Sequence, residues 1–183
     1  MDGLNGLAPI FQGSQFIKVP GVTALKPETG LTLSAWIRIN SSDSLGSDIT
    51  TMGGNYGLHV NKDGTLLFNL STDQPPPDHM WNLTSNGLPI RDSLWHYVVG
   101  TFDGITMRVF LDGLENTAVI PIGKMNYLLG KDFWIGRHGN DSIGYNFFGS
   151  LDEVQVSPHA RTLDWIRLSF KNQKRPSPLI LFK

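Results

Sequence analysis

Residues 31–39 alternate without interruption: Leu31, Leu33, Ala35, Ile37 and Ile39 take one face, and Thr32, Ser34, Trp36 and Arg38 take the other. Successive side chains of a strand point to opposite faces, so this period of two over nine residues predicts a strand with one buried face. The same grammar recurs down the chain. Residues 56–60 and 65–70 flank Asn61-Lys62-Asp63-Gly64, residues 95–102 and 106–111 flank Asp103-Gly104, and Asp112-Gly113 leads into residues 115–120. Asp-Gly suits the positive backbone angles of tight hairpins, so these turns predict a meander of antiparallel strands. Residues 16–19, 133–136 and 151–156 read as further strands. No repeat of constant period is present, which argues against a propeller or solenoid.

One short helix is predicted over residues 162–174. Thr162 suits its N-cap, Asp164 its first turn, and Leu163, Ile166 and Phe170 recur at helical spacing. Lys171 and Lys174 suit the negative end of the dipole and Pro176 stops the helix. Residues 177–183 then read as a C-terminal edge segment. Three stretches, 41–48, 73–91 and 137–149, look irregular, and long loops are where binding residues concentrate.

The 183 residues suffice for one all-β domain spanning 1–183, a two-sheet antiparallel sandwich. The net charge of −1 and the absence of a clustered basic surface speak against nucleic acid as a partner. The cluster of Lys171, Lys174 and Arg175 reads as a helix end and linker. There is no cysteine, hence no disulfide, thiolate metal site or thiol nucleophile. No apolar run approaches ~18 residues, so no membrane insertion is expected. The start, Met1-Asp2-Gly3-Leu4-Asn5-Gly6, lacks the basic and apolar regions of a signal peptide, and Arg175-Pro176-Ser177-Pro178 reads as a hinge. The expectation is therefore a monomeric module of a longer exported chain, extracellular or at a cell surface.

Five ordered blocks resemble the laminin-G-like, concanavalin A-like jelly-roll domains. Phe11-Gln12-Gly13-Ser14-Gln15-Phe16-Ile17-Lys18-Val19 is similar to the family's opening strand, and Leu31-Thr32-Leu33-Ser34-Ala35-Trp36-Ile37 to its "F-T-V-S-A-W-V". Trp95-His96-Tyr97-Val98-Val99-Gly100-Thr101-Phe102-Asp103-Gly104 is similar to "W-x-H-V-A-x-x-Y-D-G", and residues 107–113 to "L-x-L-Y-V-D-G". Ile135-Gly136-Arg137, followed by Phe148-Gly149-Ser150-Leu151-Asp152-Glu153-Val154, resembles the closing "I-G-x…F-x-G-x-I-D-E-V". Residues 157–173 also resemble the ending of such domains in large bacterial exported proteins. The resemblance implies a jelly roll, and a module that binds carbohydrate or protein more often than it catalyses. It also implies one structural calcium, held by Asp152 with carbonyls of Gly13 to Gln15. The alternative is an Asp152 carboxylate satisfied by backbone amides, and Gln12 departs from the Asp or Asn of many relatives.

No catalytic pair is evident. A glycosidase needs two carboxyl groups a few ångströms apart, whereas adjacent Asp152 and Glu153 on a strand point to opposite faces. Strand faces turned from the core give the binding candidates Trp36, Arg38, His59, Arg108 and Trp134; the loops add Trp81, Arg137 and Tyr145, beside His79, His138, Asn140, Asp141 and Asn146. Aromatic rings pack on the apolar faces of sugars while polar neighbours bond the hydroxyls. Trp36 and Trp134 have a structural alternative, packing beneath loops. A zinc site from His79, His96 and His138 finds no support in their spacing. A non-catalytic glycan-binding or adhesion module is thus expected; a protein-interaction or spacer domain, or a polysaccharide-degrading enzyme, are the alternatives.

Overall fold

The computed structural model describes residues 2–4, 6–39, 46–74, 80–87, 90–121, 123–139 and 143–174. Its strands are β1 (Asp2–Gly3), β2 (Gly6–Leu7), β3 (Ile10–Gln12), β4 (Ile17–Val19), β5 (Leu31–Arg38), β6 (Gly46–Met52) and β7 (Tyr56–Asn61). They continue with β8 (Leu66–Ser71), β9 (Met80–Thr84), β10 (His96–Phe102), β11 (Met107–Leu111), β12 (Leu114–Val119), β13 (Phe133–Ile135) and β14 (Phe148–Ser157), and a helix α1 (Leu163–Gln173) follows. Two six-stranded antiparallel sheets form, in the orders β12-β11-β10-β5-β14-β3 and β4-β13-β6-β7-β8-β9. This is the expected jelly-roll sandwich. The expected C-terminal edge segment, residues 177–183, lies outside the described residues, as do His79, Asn140 and Asp141.

The Asp-Gly turns act as hairpin closures. Asp112 (φ 51°) and Gly113 (φ 81°) both hold left-handed backbone between the paired Leu111 and Leu114, a two-residue turn whose twist matches the strands it joins. Leu31, Leu33, Ile37, Val98, Val109 and Leu151 of the first sheet meet Ile49, Leu58, Val60, Phe68, Leu70 and Phe133 of the second in the main core.

The alternation at 31–39 led us to expect one buried face, but residues 31–37 are buried on both. The second face is covered by α1. Thr162 caps the helix, its hydroxyl accepting from the Trp165 amide at 3.2 Å. Ile166 then turns inward beside Trp36, Tyr97, Val99 and Phe110, with Leu163 and Phe170 packed against them. Leu4, between β1 and β2, joins the same cluster. Covering the sheet in this way makes a second apolar layer, worth ~25 cal/mol for each Å² of apolar surface removed from water.

Two strands arise where irregular chain was expected. Residues 46–52 form β6 and residues 80–84 form β9. In β6 a bulge between Asp48 and Thr50 breaks the period of two, so the alternation that marks a strand is lost from the sequence there. No helix among the described residues is long and apolar enough to cross a membrane.

Candidate functional site

Unlike its partner, the sheet β4-β13-β6-β7-β8-β9 carries no α-helix on its outer side among the described residues; the loop of His138 and a short 3-10 turn at Ile143–Tyr145 lie against β6 instead. Its registers place Lys18, Trp134, Thr51, Gly57, Asn69 and Asn82 in one row across all six strands. A second row holds Asp48, His59, Leu67 and Thr84. Gly57 sits between Thr51 and Asn69, and its missing side chain matters: a Cβ there would lie 2.6 Å from His59 Nε2 and 3.0 Å from Asn69 Oδ1. The gap in the row is filled by the imidazole of His59.

Asp48 is only 1% exposed, and both its oxygens meet imidazoles. His59 Nδ1 lies 2.5 Å from Oδ1, and His138 Nδ1 lies 2.5 Å from Oδ2. His59 Nε2 is 2.9 Å from Asn69 Oδ1, so the ring is held from both ends. Burial alone would neutralise both groups. For Asp48 burial raises the pKa, but the charge and hydrogen bond of His59 and the hydrogen bond from His138 outweigh it and hold the carboxyl below its usual range. For His59 burial lowers the pKa, but the Asp48 carboxylate and the bond to Asn69 hold it above the usual imidazole value. The loop that brings in His138 is tied to the sheet by Thr51, whose hydroxyl donates to the Arg137 carbonyl at 3.3 Å.

These groups open onto a cavity of about 170 Å³ whose lining includes Asp48, His59, Asn61, Leu67, Asn69, His138 and Tyr145. Pockets that enclose a whole small ligand run from ~300 Å³ upward, so this recess fits one part of a larger ligand lying on the sheet. Tyr145, 37% exposed, forms its rim with its ring centroid 5.2 Å from that of His138. A larger hollow of about 430 Å³ lies between α1 and the Asp112-Gly113 turn. Its acid, Asp112, is already held by His96 and the Tyr97 amide, and Leu114 and Phe170 supply much of the rest.

The structure separates the expected binding residues into two groups. His59 and Tyr145 line the recess, and Trp134 and Arg137 belong to the same sheet or its adjoining loop. Trp134 is 8% exposed, however, lying 5.4 Å from the Phe16 ring with Lys18 Nζ at 4.8 Å; Arg137 sits 4.7 Å over Phe16. The exposed aromatic at that end is Phe16.

Trp36, Arg38 and Arg108 are on the other sheet, away from the recess, and the expectation of an exposed Trp36 is corrected. Trp36 is 1% exposed, stacked 5.6 Å from Phe170, and its Nε1 donates to Gln173 Oε1 at 2.7 Å, so it offers no ring face to a ligand. Arg38 lies over Trp95 at 5.1 Å, and Arg108 is paired with Asp103 at 2.6 Å. Trp81 turns towards the main core and donates from Nε1 to Thr72 Oγ1 at 3.2 Å.

Of the two readings of Asp152, the structure has the carboxylate held by backbone amides. Asp152 Oδ2 accepts from the Leu4 amide at 2.8 Å and Oδ1 from the Glu153 amide at 2.9 Å. The Gly13 carbonyl accepts from Asn146 Nδ2, and Gln15 Oε1 accepts from the Gln12 amide at 2.7 Å. Phe148 pairs with Gln12, so Asp152 and Gly13 lie about five residues apart along the ladder, ~16 Å, too far for one ion. The regular strand expected at Asp152 and Glu153 is also broken by a bulge, where Glu153 takes φ 51°.

Two members of the recess, Asp48 and Asn69, were not singled out from the sequence. Asn69 lies opposite Phe68 and Leu70, so the alternation of β8 carried its signal; Asp48, masked by the bulge, gave none.

Comparison with solved structures gives the same fold. The binding domain of Paraclostridial Mosquitocidal Protein 1 superposes with a TM-score of 0.75 at 14% identity, covering 94% of this chain and 45% of that one. This chain therefore spans less than half the length of that relative. The Ruminococcus gnavus IT-sialidase CBM40 bound to α2,3 sialyllactose gives 0.67 at 13% identity over 84% of this chain and 98% of that one. A botulinum neurotoxin type C structure, described as dependent for cell entry on two ganglioside molecules, gives 0.64 at 13% identity over 87% and 40%. A search of curated protein sequences finds no match. A family model matches residues 11–167, and with two thirds of the chain and more inside it, this chain belongs to the concanavalin A-like lectin/glucanases superfamily, laminin G type.

Proposed function

We propose that this chain is a non-catalytic, lectin-like module that binds glycan on the outer side of β4-β13-β6-β7-β8-β9, at the recess lined by His59, Asn69 and Tyr145. The observation that carries the reading is the row of hydroxyl, amide and imidazole groups across that face, ending in a recess with Tyr145 at its rim. Such groups match the hydroxyls of a sugar while an aromatic edge meets its apolar face. Relatives of the same fold, described as bound to sialyllactose or dependent on gangliosides, support a sialylated glycan as the first probe.

The non-catalytic part follows from the carboxylates. Among the described residues, Asp48 is the only acid lining the recess, and both its oxygens are engaged by histidines. Glycoside hydrolysis needs a second carboxyl group facing the first across the sugar. A module of this kind meets its ligand outside the cell, so the reading carries with it an exported, monomeric unit. The test is a glycan array followed by calorimetric titration with α2,3 sialyllactose. Binding in the micromolar to millimolar range on any glycan class is the expected result; a silent array across host, plant and algal glycans overturns the reading.

A further inference from the structure

We infer that Asp48, His59 and His138 form a site for a borderline divalent cation of the zinc class, with an open coordination position facing the recess. One ligand atom from each of the three residues lies within 4.8 Å of the others, the one such grouping of acids and imidazoles among the described residues. A tetrahedral ion with bonds of ~2.1 Å requires its ligand atoms about 3.4 Å apart, so small rotations of the two rings would complete the geometry.

The groups behind the two rings point the same way. Asn69 Oδ1, 2.9 Å from His59 Nε2, accepts from that nitrogen, so Nδ1, 2.5 Å from Asp48 Oδ1, is the ring atom turned to the carboxylate. A metal ion entering there would displace the proton the two atoms share, as metal binding to histidine does. An amide or carbonyl behind the distal ring nitrogen is also how metal-ligating histidines are fixed in tautomer and orientation. His138 is braced in turn by the Tyr145 ring against its own. Asp48 can turn either oxygen to the ion, because its two oxygens already face the two different rings.

The ligand set selects the metal. Calcium and magnesium take six or more oxygen donors, whereas two imidazoles and one carboxylate suit zinc or a neighbouring transition metal. Three protein ligands leave a fourth position for water. On the glycan reading above, that position would take a sugar hydroxyl or carboxylate, although the ion site stands without it.

The contrast with His96 is instructive. Its Nδ1 lies 2.9 Å from Asp112 and its Nε2 lies 3.0 Å from Asp92, so the carboxylates sit at opposite ends of one ring and cannot share an ion. The protein therefore contains its own control.

The test uses the folded chain stripped with EDTA and titrated with ZnCl₂ alone by calorimetry, with CaCl₂ as competitor. One zinc equivalent is expected, unaffected by millimolar calcium, with at least tenfold weaker binding in His138→Ala and no change in His96→Gln. Absence of zinc uptake by the wild-type chain overturns the inference, as does a His138→Ala protein that binds as tightly. Cobalt substitution of the wild-type chain keeps the question decidable if a variant fails to fold: intense visible d–d bands mark a tetrahedral nitrogen and oxygen site, and a spectrum of hydrated cobalt overturns it. Repeating the glycan array in EDTA and in zinc separates the two ideas, since zinc uptake with a silent array sinks only the glycan reading.

Discussion

On the sheet β12-β11-β10-β5-β14-β3, the side chains pointing away from the main core include Trp36, Tyr97, Val99 and Phe110, and α1 lies over them. On β4-β13-β6-β7-β8-β9 the corresponding positions hold Asp48, Thr51, His59, Asn69 and Asn82, and among the described residues the loop of His138, not an α-helix, covers the first three. Both faces follow the alternation of strands, except at the bulge beside Asp48. The difference teaches that an aromatic residue opposite the core is a ligand platform only when nothing else in the chain needs it. Trp36 is large and apolar, and an eleven-residue helix with Ile166 and Phe170 on one face is its partner. On the other sheet Asp48, Thr51 and His59 are buried too, but they are satisfied through directed hydrogen bonds to one another, to Asn69 and to the His138 loop rather than through packing.

The comparison breaks most visibly at Trp36. Trp36→Ala removes a ring packed against both Tyr97 and Phe170 together with the bond to Gln173, and is expected to cost about 3–5 kcal/mol in chemical denaturation. A loss under about 1 kcal/mol would show that α1 does not seal the sheet. A smaller effect is expected at His96, the first residue of β10. Its hydrogen bond to Asp112 foremost, aided by Asp92 and opposed by burial, raises its pKa above the ordinary value of 6.5. A raised imidazole pKa stabilises the fold fully below about pH 6.5, and the contribution fades as pH rises through the folded value. His96→Gln should therefore cost about 1 kcal/mol at pH 5.5 and progressively less towards alkaline pH; a cost that grows with pH would refute the ion pair. The smallest change in stability belongs to Tyr145→Ala on the open face, within about 0.5 kcal/mol. Its glycan affinity should nevertheless fall about tenfold, equivalent to ~1.4 kcal/mol, and an unchanged affinity would remove Tyr145 from the site.

The sandwich was legible because its evidence is local. The run at 31–39, the Asp-Gly turns and the Thr162 cap each specify their own element, and all point to one architecture. The placement of Trp36 was not, because alternation tells which face a residue takes and not what will cover that face. The helix and the tryptophan are more than 120 residues apart, and nothing in either segment names the other. His59 was found by alternation and Tyr145 as a loop aromatic. Asp48 escaped because a bulge erases period two at the residue that organises the recess. His138 was visible as a loop residue, but its partnership with Asp48 spans 90 positions and is set by how β13 aligns on β6.

Leu4 and α1 share the apolar cluster on the covered sheet, so the described chain both starts and finishes on the same side of the sandwich. A support joined at Leu4 or at the end of α1 would grip the molecule by its back. Immobilised on a bead, a sensor chip or a cell wall in that way, the protein would present the sheet that carries the recess outward. Orientation on a surface is thus written into the fold: two points of attachment on one side and a reading face on the other.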